Sequence, residues 1–132
     1  MTRYSTALAA NPAATYRQVE LAGRTSGADP HALIGLLYEE GVSALRAAAW
    51  AAENRQLAVK SERIGRATAI LFALEAGLDF EKGGEVARTL ATFYHGLRQA
   101  VVHASLGSDS APFREAADSL EEIGGAWASV RS

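Results

Sequence analysis

The three histidines and the carboxylate side chains of this chain are the residues that could hold a metal ion. Di-iron centres in four-helix proteins need an inward-facing Glu-x-x-His motif on two helices, and no Glu-x-x-His occurs in this sequence. His31, His95 and His103 also lack the His-Glu-x-x-His spacing of zinc enzymes. Isolated histidines of this kind are more typical of a protein surface. The sequence therefore predicts no metal site.

Residue patterns for nucleophilic, phosphate-binding and haem chemistry are also missing. There is no cysteine, and no serine stands in a Gly-x-Ser-x-Gly elbow. Gly83-Gly84 is not followed by the Gly-Lys-Ser/Thr of a phosphate-binding loop, so it indicates a helix junction. Met1 is the sole methionine, which leaves no inward methionine for a haem. We therefore expect a protein that is not an enzyme and that needs no cofactor.

The composition is that of one folded domain. Hydrophobic residues make up 48% of the 132, which argues against disorder. The formal net charge is −2 and the sequence has no basic run, so it lacks the electrostatic footprint of a nucleic-acid-binding protein. No apolar stretch is long enough for a signal peptide or a membrane span. These features predict a cytoplasmic protein that neither binds nucleic acid nor inserts into a membrane.

Apolar residues recur three or four positions apart in four segments, which predicts four amphipathic helices. The segments are residues 30–54, 57–78, 84–106 and 111–130. Asp29-Pro30 supplies an N-cap and a first-turn proline, and residues 107–110 end the third helix and cap the fourth. Because the connections are short, we predict an all-α, antiparallel up-down-up-down four-helix bundle over residues 30–132. Residues 1–29 are predicted to form a flexible N-terminal arm with a short helix.

The apolar stripe on each helix predicts which face is buried. Leu57, Val86 and Val130 belong to these stripes, whereas Lys60 lies outside them. Tyr38 and Tyr94 are expected near the core, with hydroxyl groups that reach a rim or a partner. The first two long helices carry a second apolar stripe beside the first. This second stripe is either core, because a bundle helix buries a broad face, or the lining of a groove for an amphipathic partner helix.

Several motifs of this chain, in this order, resemble those of the flagellar secretion chaperone (FliS) family, the flagellin-specific export chaperones of bacteria. The most specific are Lys60-Ser61-Glu62-Arg63-Ile64, Leu78-Asp79-x-Glu81-Lys82-Gly83-Gly84-Glu85 and Leu90-x-x-x-Tyr94. Leu37-Tyr38-Glu39-Glu40-Gly41 is similar to the family's Leu-Tyr-Asp-Gly-Ala segment, with one extra acidic residue before the glycine. Asn11-Pro12-x-x-x-Tyr16 resembles the N-terminal motif, but Ala13 replaces the first of its usual two tyrosines. The resemblance extends over residues 11–127.

The resemblance implies a small antiparallel helical bundle that acts in the cytosol and binds the disordered C-terminal segment of newly made flagellin. Such binding blocks premature polymerisation and keeps flagellin competent for flagellar type III secretion. The client folds as it binds, so the burial of its apolar anchors has to offset the entropy of ordering. The resemblance also raises contact with the export gate. The arm is either a poorly ordered terminus with an incidental tyrosine or, through Tyr16, a plug for part of the client's groove in the free protein.

We assign partner binding to Tyr16 and to the second stripes of the helices. The remaining candidate residues are Ile34, Tyr38, Leu45, Ile64, Ala67, Ile70, Leu71, Leu74, Gly77, Tyr94, Leu97 and Val101. The alternative function is a self-associating structural or adaptor bundle, whose extra apolar face is a homodimer interface or takes a different helical client. The sequence predicts a monomer or a weak homodimer.

Overall fold

In a computed structural model, which describes residues 30–130, the chain forms four helices and no strand within that range. They are α1 (Pro30–Glu53), α2 (Leu57–Ala76), α3 (Phe80–Ala104) and α4 (Ala111–Ser129). The prediction of an all-α four-helix bundle is confirmed. The boundary at residue 29 and the assignment of an arm before it stay predictions, because residues 1–29 lie outside the described range.

Contacts between helix ends show that neighbouring helices are antiparallel. At one end of the bundle, the indole Nε1–H of Trp127 in α4 donates to the carbonyl of His31 in α1 over 2.9 Å. At the other end, the hydroxyl of Ser110, before α4, donates to Glu53 at the end of α1 over 2.9 Å. There too, Nζ of Lys60 in α2 donates to the carbonyl of Gly107, after α3, over 2.6 Å.

α1 is the central helix of the core, since it packs closely against both α2 and α4. Among residues 30–130, eleven of the 22 buried apolar residues are alanines, so the helices approach each other closely. The clearest close approach is at Gly41, where an added Cβ would lie 2.8 Å from Cδ2 of Leu120 and 3.2 Å from Cγ2 of Ile70. α3 packs against α2, and only loosely against α4.

The third helix begins earlier than the sequence pattern predicts and contains a kink. Asp79 caps it, because its side chain accepts a hydrogen bond from the backbone N–H of Lys82 over 3.0 Å. One helical turn follows before Gly84, whose φ of 51° and ψ of −124° break the helical backbone. Side chains are strongly disfavoured in this conformation, so a glycine is required there. The kink sets the direction of the long part of α3.

Four residues lie differently from the apolar-stripe prediction. Leu57, Val86 and Val130 are exposed, because Leu57 and Val130 flank the ends of α2 and α4 and Val86 lies in the first turn after the kink. Lys60 was predicted outside the stripe but is only 8% exposed. Its hydrogen bond to the Gly107 carbonyl satisfies the ammonium group, and its aliphatic chain covers the junction between α2 and the α3–α4 loop.

Candidate helix-binding site

The third helix is the least covered of the four. Only four of its 25 residues are buried, whereas α1 buries nine of 24. The buried residues of α3 are Ala87, Tyr94, Leu97 and Val101. Val86 remains 67% exposed, and Leu90 and Phe93 are only partly buried. α3 therefore presents apolar surface that its three neighbouring helices do not cover.

The uncovered row of α3 lies on the side that faces α4. Arg98 marks the opposite side, since its guanidinium pairs with Glu75 of α2 at 2.7 Å and lies 5.3 Å from the ring centre of Phe72. Tyr94 points to α1, where its ring lies 6.4 Å from that of Tyr38. By helical periodicity, the row on the α4 side of Tyr94 is uncharged. It consists of Val86, Leu90, Phe93, Leu97, Ala100 and Ala104.

The matching row of α4 is uncharged as well. Glu121 and Gly124 lie on the side of α4 that faces α1, because Glu121 pairs with Arg46 and Gly124 packs against Tyr38. The opposite side carries Ala116, Ser119, Ile123 and Ala126, with Trp127 beside them. We call the surface between these two rows the α3/α4 seam. Its side chains are apolar or small, and none of them is charged.

Polar links tie the other neighbouring helices together but leave this seam free. Arg66 pairs with Glu40 at 2.6 Å between α2 and α1, and Arg114 pairs with Glu53 at 2.6 Å between α4 and α1. Within residues 30–130, no ion pair or side-chain hydrogen bond joins α3 to α4. The contact between α3 and α4 is therefore the weakest between neighbouring helices in this part of the chain.

A hydrogen bond between two tyrosines lies beneath the seam. The hydroxyl groups of Tyr38 in α1 and Tyr94 in α3 bond to each other across the bundle. Burial raises the pKa of both phenols, and the bond to Tyr38 raises that of Tyr94 further. Both groups therefore stay neutral at physiological pH. This corrects the expectation that these hydroxyls reach a rim or a partner, because each one satisfies the other.

The end of the seam near the start of α1 is fixed by an aromatic pair. The rings of His31 and Trp127 stack with centroids 4.5 Å apart and planes 12° from parallel. Nε2 of His31 lies 2.8 Å from the Trp127 carbonyl, so the tautomer protonated at Nε2 donates to it. The Trp127 indole in turn donates to the His31 carbonyl. These contacts hold the last turn of α4 against the first turn of α1.

The predicted partner-binding residues are not distributed evenly between core and surface. Ile34 and Ile64 are partly exposed, Gly77 is exposed, and Tyr16 lies outside the described residues. Nine others are buried in the isolated chain: Tyr38, Leu45, Ala67, Ile70, Leu71, Leu74, Tyr94, Leu97 and Val101. Their assignment to a partner stays a prediction. Of the thirteen, Leu97 belongs to the α3/α4 seam and Tyr94 lies directly beneath it.

The seam also contains residues to which the sequence reasoning gave no partner role. Val86, Phe93, Ile123 and Trp127 follow the apolar periodicity of their helices, and periodicity alone assigns such residues to the core. A signal for the seam was present in the sequence, since the row from Val86 to Ala104 has no charged member over the length of α3. What the sequence lacked was the information that α4 leaves this row partly uncovered.

Neither a metal site nor a membrane span is found among residues 30–130. No group of three or more metal-binding side chains lies together in this range. None of the helices described combines the length and the apolar character that crossing a bilayer needs.

The fold defines the class of this protein as a small antiparallel helical bundle, with an uncharged seam between α3 and α4. Comparisons with known proteins give its family. Residues 10–132 match the family model described as flagellar protein FliS. The chain is 35% identical over 112 residues to the flagellar secretion chaperone FliSB of Pseudomonas aeruginosa, covering 85% of this chain and 89% of the relative.

Two further relatives carry similar names. Identity to the flagellar secretion chaperone FliS of Salmonella typhimurium is 34% over 116 residues, or 87% of this chain and 86% of the relative. Identity to that of Vibrio cholerae is 27% over 112 residues, or 85% and 82%. The chain therefore belongs to the FliS family of flagellar secretion chaperones, as the motif resemblance predicts. The names of its relatives point to a non-enzymatic role in flagellum assembly.

Proposed function

We propose that this chain binds the disordered C-terminal region of flagellin in the cytosol, and that the α3/α4 seam holds a helix of that client. Bound flagellin is kept from premature polymerisation and remains competent for flagellar type III secretion. The flagellar export gate is a further partner in this proposal. Membership of the FliS family supports a client of the flagellar secretion system. The observation that carries the proposal is the uncharged, uncovered seam.

The dimensions of the seam fit one helix of moderate length. The row from Val86 to Ala104 extends over about 27 Å at the α-helical rise of about 1.5 Å per residue. A client helix of roughly five turns matches that length. Its apolar side chains would cover Val86, Phe93 and Ile123 and give α3 the fourth neighbour that the isolated bundle lacks.

The energetics are those of coupled folding and binding. A disordered client loses conformational entropy when it becomes a helix, and this costs about 2–5 kcal/mol or more of the gross interaction energy. Burial of apolar surface offsets this at about 25 cal/mol per Å². Because the seam has no charged side chain, none has to lose its water when the client binds, and the desolvation cost of binding is small.

Titration calorimetry tests the proposal most simply. The ligand is a peptide of about forty residues from the C-terminus of the flagellin encoded in the same genome, with circular dichroism recorded alongside. We expect one-to-one binding, a negative heat-capacity change and a gain of helix. A peptide from the N-terminal region of the same flagellin is the matched control. Absence of binding at tens of micromolar by a folded, monomeric chain rules out this client.

The self-association alternative makes a different forecast for the protein alone. If the uncovered face is a homodimer interface, sedimentation equilibrium will show a mass that rises with concentration in the absence of any peptide. If flagellin is the client, the free chain stays monomeric or only weakly dimeric, and adding the peptide yields the mass of a one-to-one complex.

A further inference from the structure

A second groove lies between α1 and α4, on the opposite side of α4 from the seam. It is lined by Gly35, Tyr38, Glu39, Val42, Ser43, Glu121, Gly124, Gly125 and Ala128. Ile123 of the seam and Glu121 of this groove are on opposite flanks of the same helix. The floor is formed by small and apolar residues, while carboxylates stand at its edges. Nothing in the family comparisons or in the proposed flagellin contact accounts for it.

Glycines make this groove accessible down to the backbone. A Cβ added at Gly35 or at Gly125 would meet no atom within 4 Å, so the space above both residues is open. Gly124 is different, because a Cβ there would lie 3.1 Å from the Cβ of Tyr38 and the two helices touch at that point. The groove is therefore closed where Gly124 contacts Tyr38, whereas at Gly35 and Gly125 it is open and another helix can approach closely.

Charge is segregated between the two halves of the bundle. α1 and α4 carry seven carboxylates and two guanidinium groups, whereas α2 and α3 carry six cationic side chains and four carboxylates. At the groove, Glu39 is exposed and makes no ion pair with any described residue. On the α4 edge, Asp118 and Glu121 share one cation, Arg46 of α1, at 3.1 Å and 2.8 Å. The single cation does not neutralise both carboxylates, so both edges are negative.

We infer that this α1/α4 groove is a second docking site, and that it takes a basic amphipathic helix of a partner protein other than the flagellin client. The small apolar floor fits the apolar face of such a helix, and Glu39 and Glu121 fit lysine or arginine side chains along its two flanks. An acidic helix would meet like charges on both edges, and a purely apolar one would leave those carboxylates without partners.

Because the groove and the seam are on opposite flanks of α4, the two sites can be occupied together. A chaperone that holds its client in the seam would then present the α1/α4 groove to another component. The proposed site is defined by chemistry that the seam lacks, since the seam has no charged residue. Its binding is therefore distinguishable from client binding by its dependence on salt.

Two designed helical peptides test the inference on the full chain. They share one Leu/Ala stripe, and the stripe is flanked by lysines in one peptide and by glutamates in the other. Binding is followed by calorimetry and by amide shifts in heteronuclear NMR. We expect the lysine peptide to bind at least about tenfold more tightly, a difference of about 1.4 kcal/mol, and to bind more weakly as salt rises. The shifts should centre on residues 35–43 and 121–128.

Variants locate the site without disturbing the fold. Gly125→Leu places a side chain in the open groove, and it should weaken the lysine peptide at least about tenfold. Glu39→Lys should weaken it through charge alone. Gly96→Leu on α3, also a position with nothing within 4 Å, and Glu115→Lys, on the other flank of α4, are the matched controls. Both controls should bind the peptide as the unmodified chain does.

Four results would overturn the inference. The first is equal binding of both peptides, and the second is unchanged binding by Gly125→Leu. The third is displacement of the lysine peptide by the flagellin peptide, or weakened flagellin binding in Gly125→Leu, because the groove would then be part of the client site. A fourth result would also overturn it: if Gly125→Leu or Glu39→Lys changes the mass of the free chain, a second copy occupies the groove. The titration of the unmodified chain with the flagellin peptide tests the proposed function separately. A failure of the groove inference therefore does not contradict the proposed function.

Discussion

At the scale of single residues, the tyrosine pair beneath the seam connects the core to the proposed site. Tyr38 and Tyr94 belong to helices that are diagonal in the bundle, and their hydroxyl groups bond to each other. Both phenols are buried. A buried hydroxyl whose partner is removed loses its hydrogen bond without regaining water. The pair therefore fixes how far α3 can move away from α1.

A double-mutant cycle measures this coupling. Tyr94→Phe should lower the free energy of unfolding by about 1–3 kcal/mol, because the Tyr38 hydroxyl is left buried and unpaired. Tyr38→Phe should behave similarly. The double variant should lose less than the sum of the two, since no orphaned hydroxyl remains. The measurement is urea unfolding of the four proteins. Strictly additive losses would contradict an interaction between the two groups.

The same pair predicts how stability depends on pH. Folding raises the pKa of both phenols above the ordinary value near 10, through burial and, for Tyr94, also through the bond to Tyr38. Between the unfolded and folded pKa values, only the unfolded chain releases these protons. Stability from the pair is therefore full below about pH 10 and is lost as pH rises further.

We expect the urea midpoint to fall between about pH 9 and pH 11, and to fall less in the Tyr38→Phe/Tyr94→Phe double variant. Lysines titrate in the same pH range. Comparison with the double variant therefore isolates the contribution of the two tyrosines to the pH dependence. An identical pH dependence of both proteins would show that the two phenols make no such contribution.

At the scale of helices, close packing at Gly41 sets the position of the central helix. Gly41→Ala should lower the free energy of unfolding by about 1–3 kcal/mol, because the new methyl group overlaps Leu120 and Ile70. Alanine is the better helix former, so a gain would be expected if space were available. Gly65→Ala provides that control. Its Cβ meets nothing within 4 Å, and it should gain about 0.5–1 kcal/mol. Thermal unfolding distinguishes them, and a stabilised Gly41→Ala would contradict the packing.

The kink of α3 gives a second prediction for a single helix. Gly84 has a φ of 51° and a ψ of −124°, which an alanine adopts only with strain. Gly84→Ala should therefore destabilise the bundle by about 1–3 kcal/mol or straighten the helix. Gly96→Ala, in the regular part of α3 and free of close neighbours, should stabilise it. Unfolding curves give the energies. Equal behaviour of the two variants would mean that the kink is not required.

Most of the helical structure could be read from the sequence, and the exceptions have physical causes. Apolar spacing located all four helices to within a few residues. The helical turn before Gly84 was missed because it is too short to show apolar periodicity. The feature of the sequence that marks this turn is Asp79, which caps it. Lys60 was misplaced because a charged residue was taken to be solvated, whereas its partner is the backbone of a loop 47 residues away.

At the scale of the whole molecule, the candidate site could be predicted only in outline. The resemblance of the motifs gave the family, and the family match bears it out. Which apolar residues are exposed depends on how closely α3 and α4 approach each other, and periodicity within one helix carries no such information. The seam and the acidic groove became visible only when neighbouring helices were placed side by side. The partner-binding list remains a prediction for the same reason.

The central claim is that flagellin occupies the seam, and one pair of variants tests it directly. Val86→Asp places a charge in the seam at a residue that is 67% exposed, so folding is preserved. Leu106→Asp places the same charge at a residue that is 83% exposed, just beyond the end of α3 and away from the row that faces α4. Both are titrated with the C-terminal flagellin peptide.

The account predicts that Val86→Asp binds at least about tenfold more weakly than the unmodified chain, because a carboxylate is buried against an apolar helix face. Leu106→Asp should keep the affinity of the unmodified chain. Circular dichroism of the free proteins confirms that both variants are folded. If Val86→Asp binds the peptide unchanged while Leu106→Asp loses it, flagellin binds at another face of α3, and the seam is not its site.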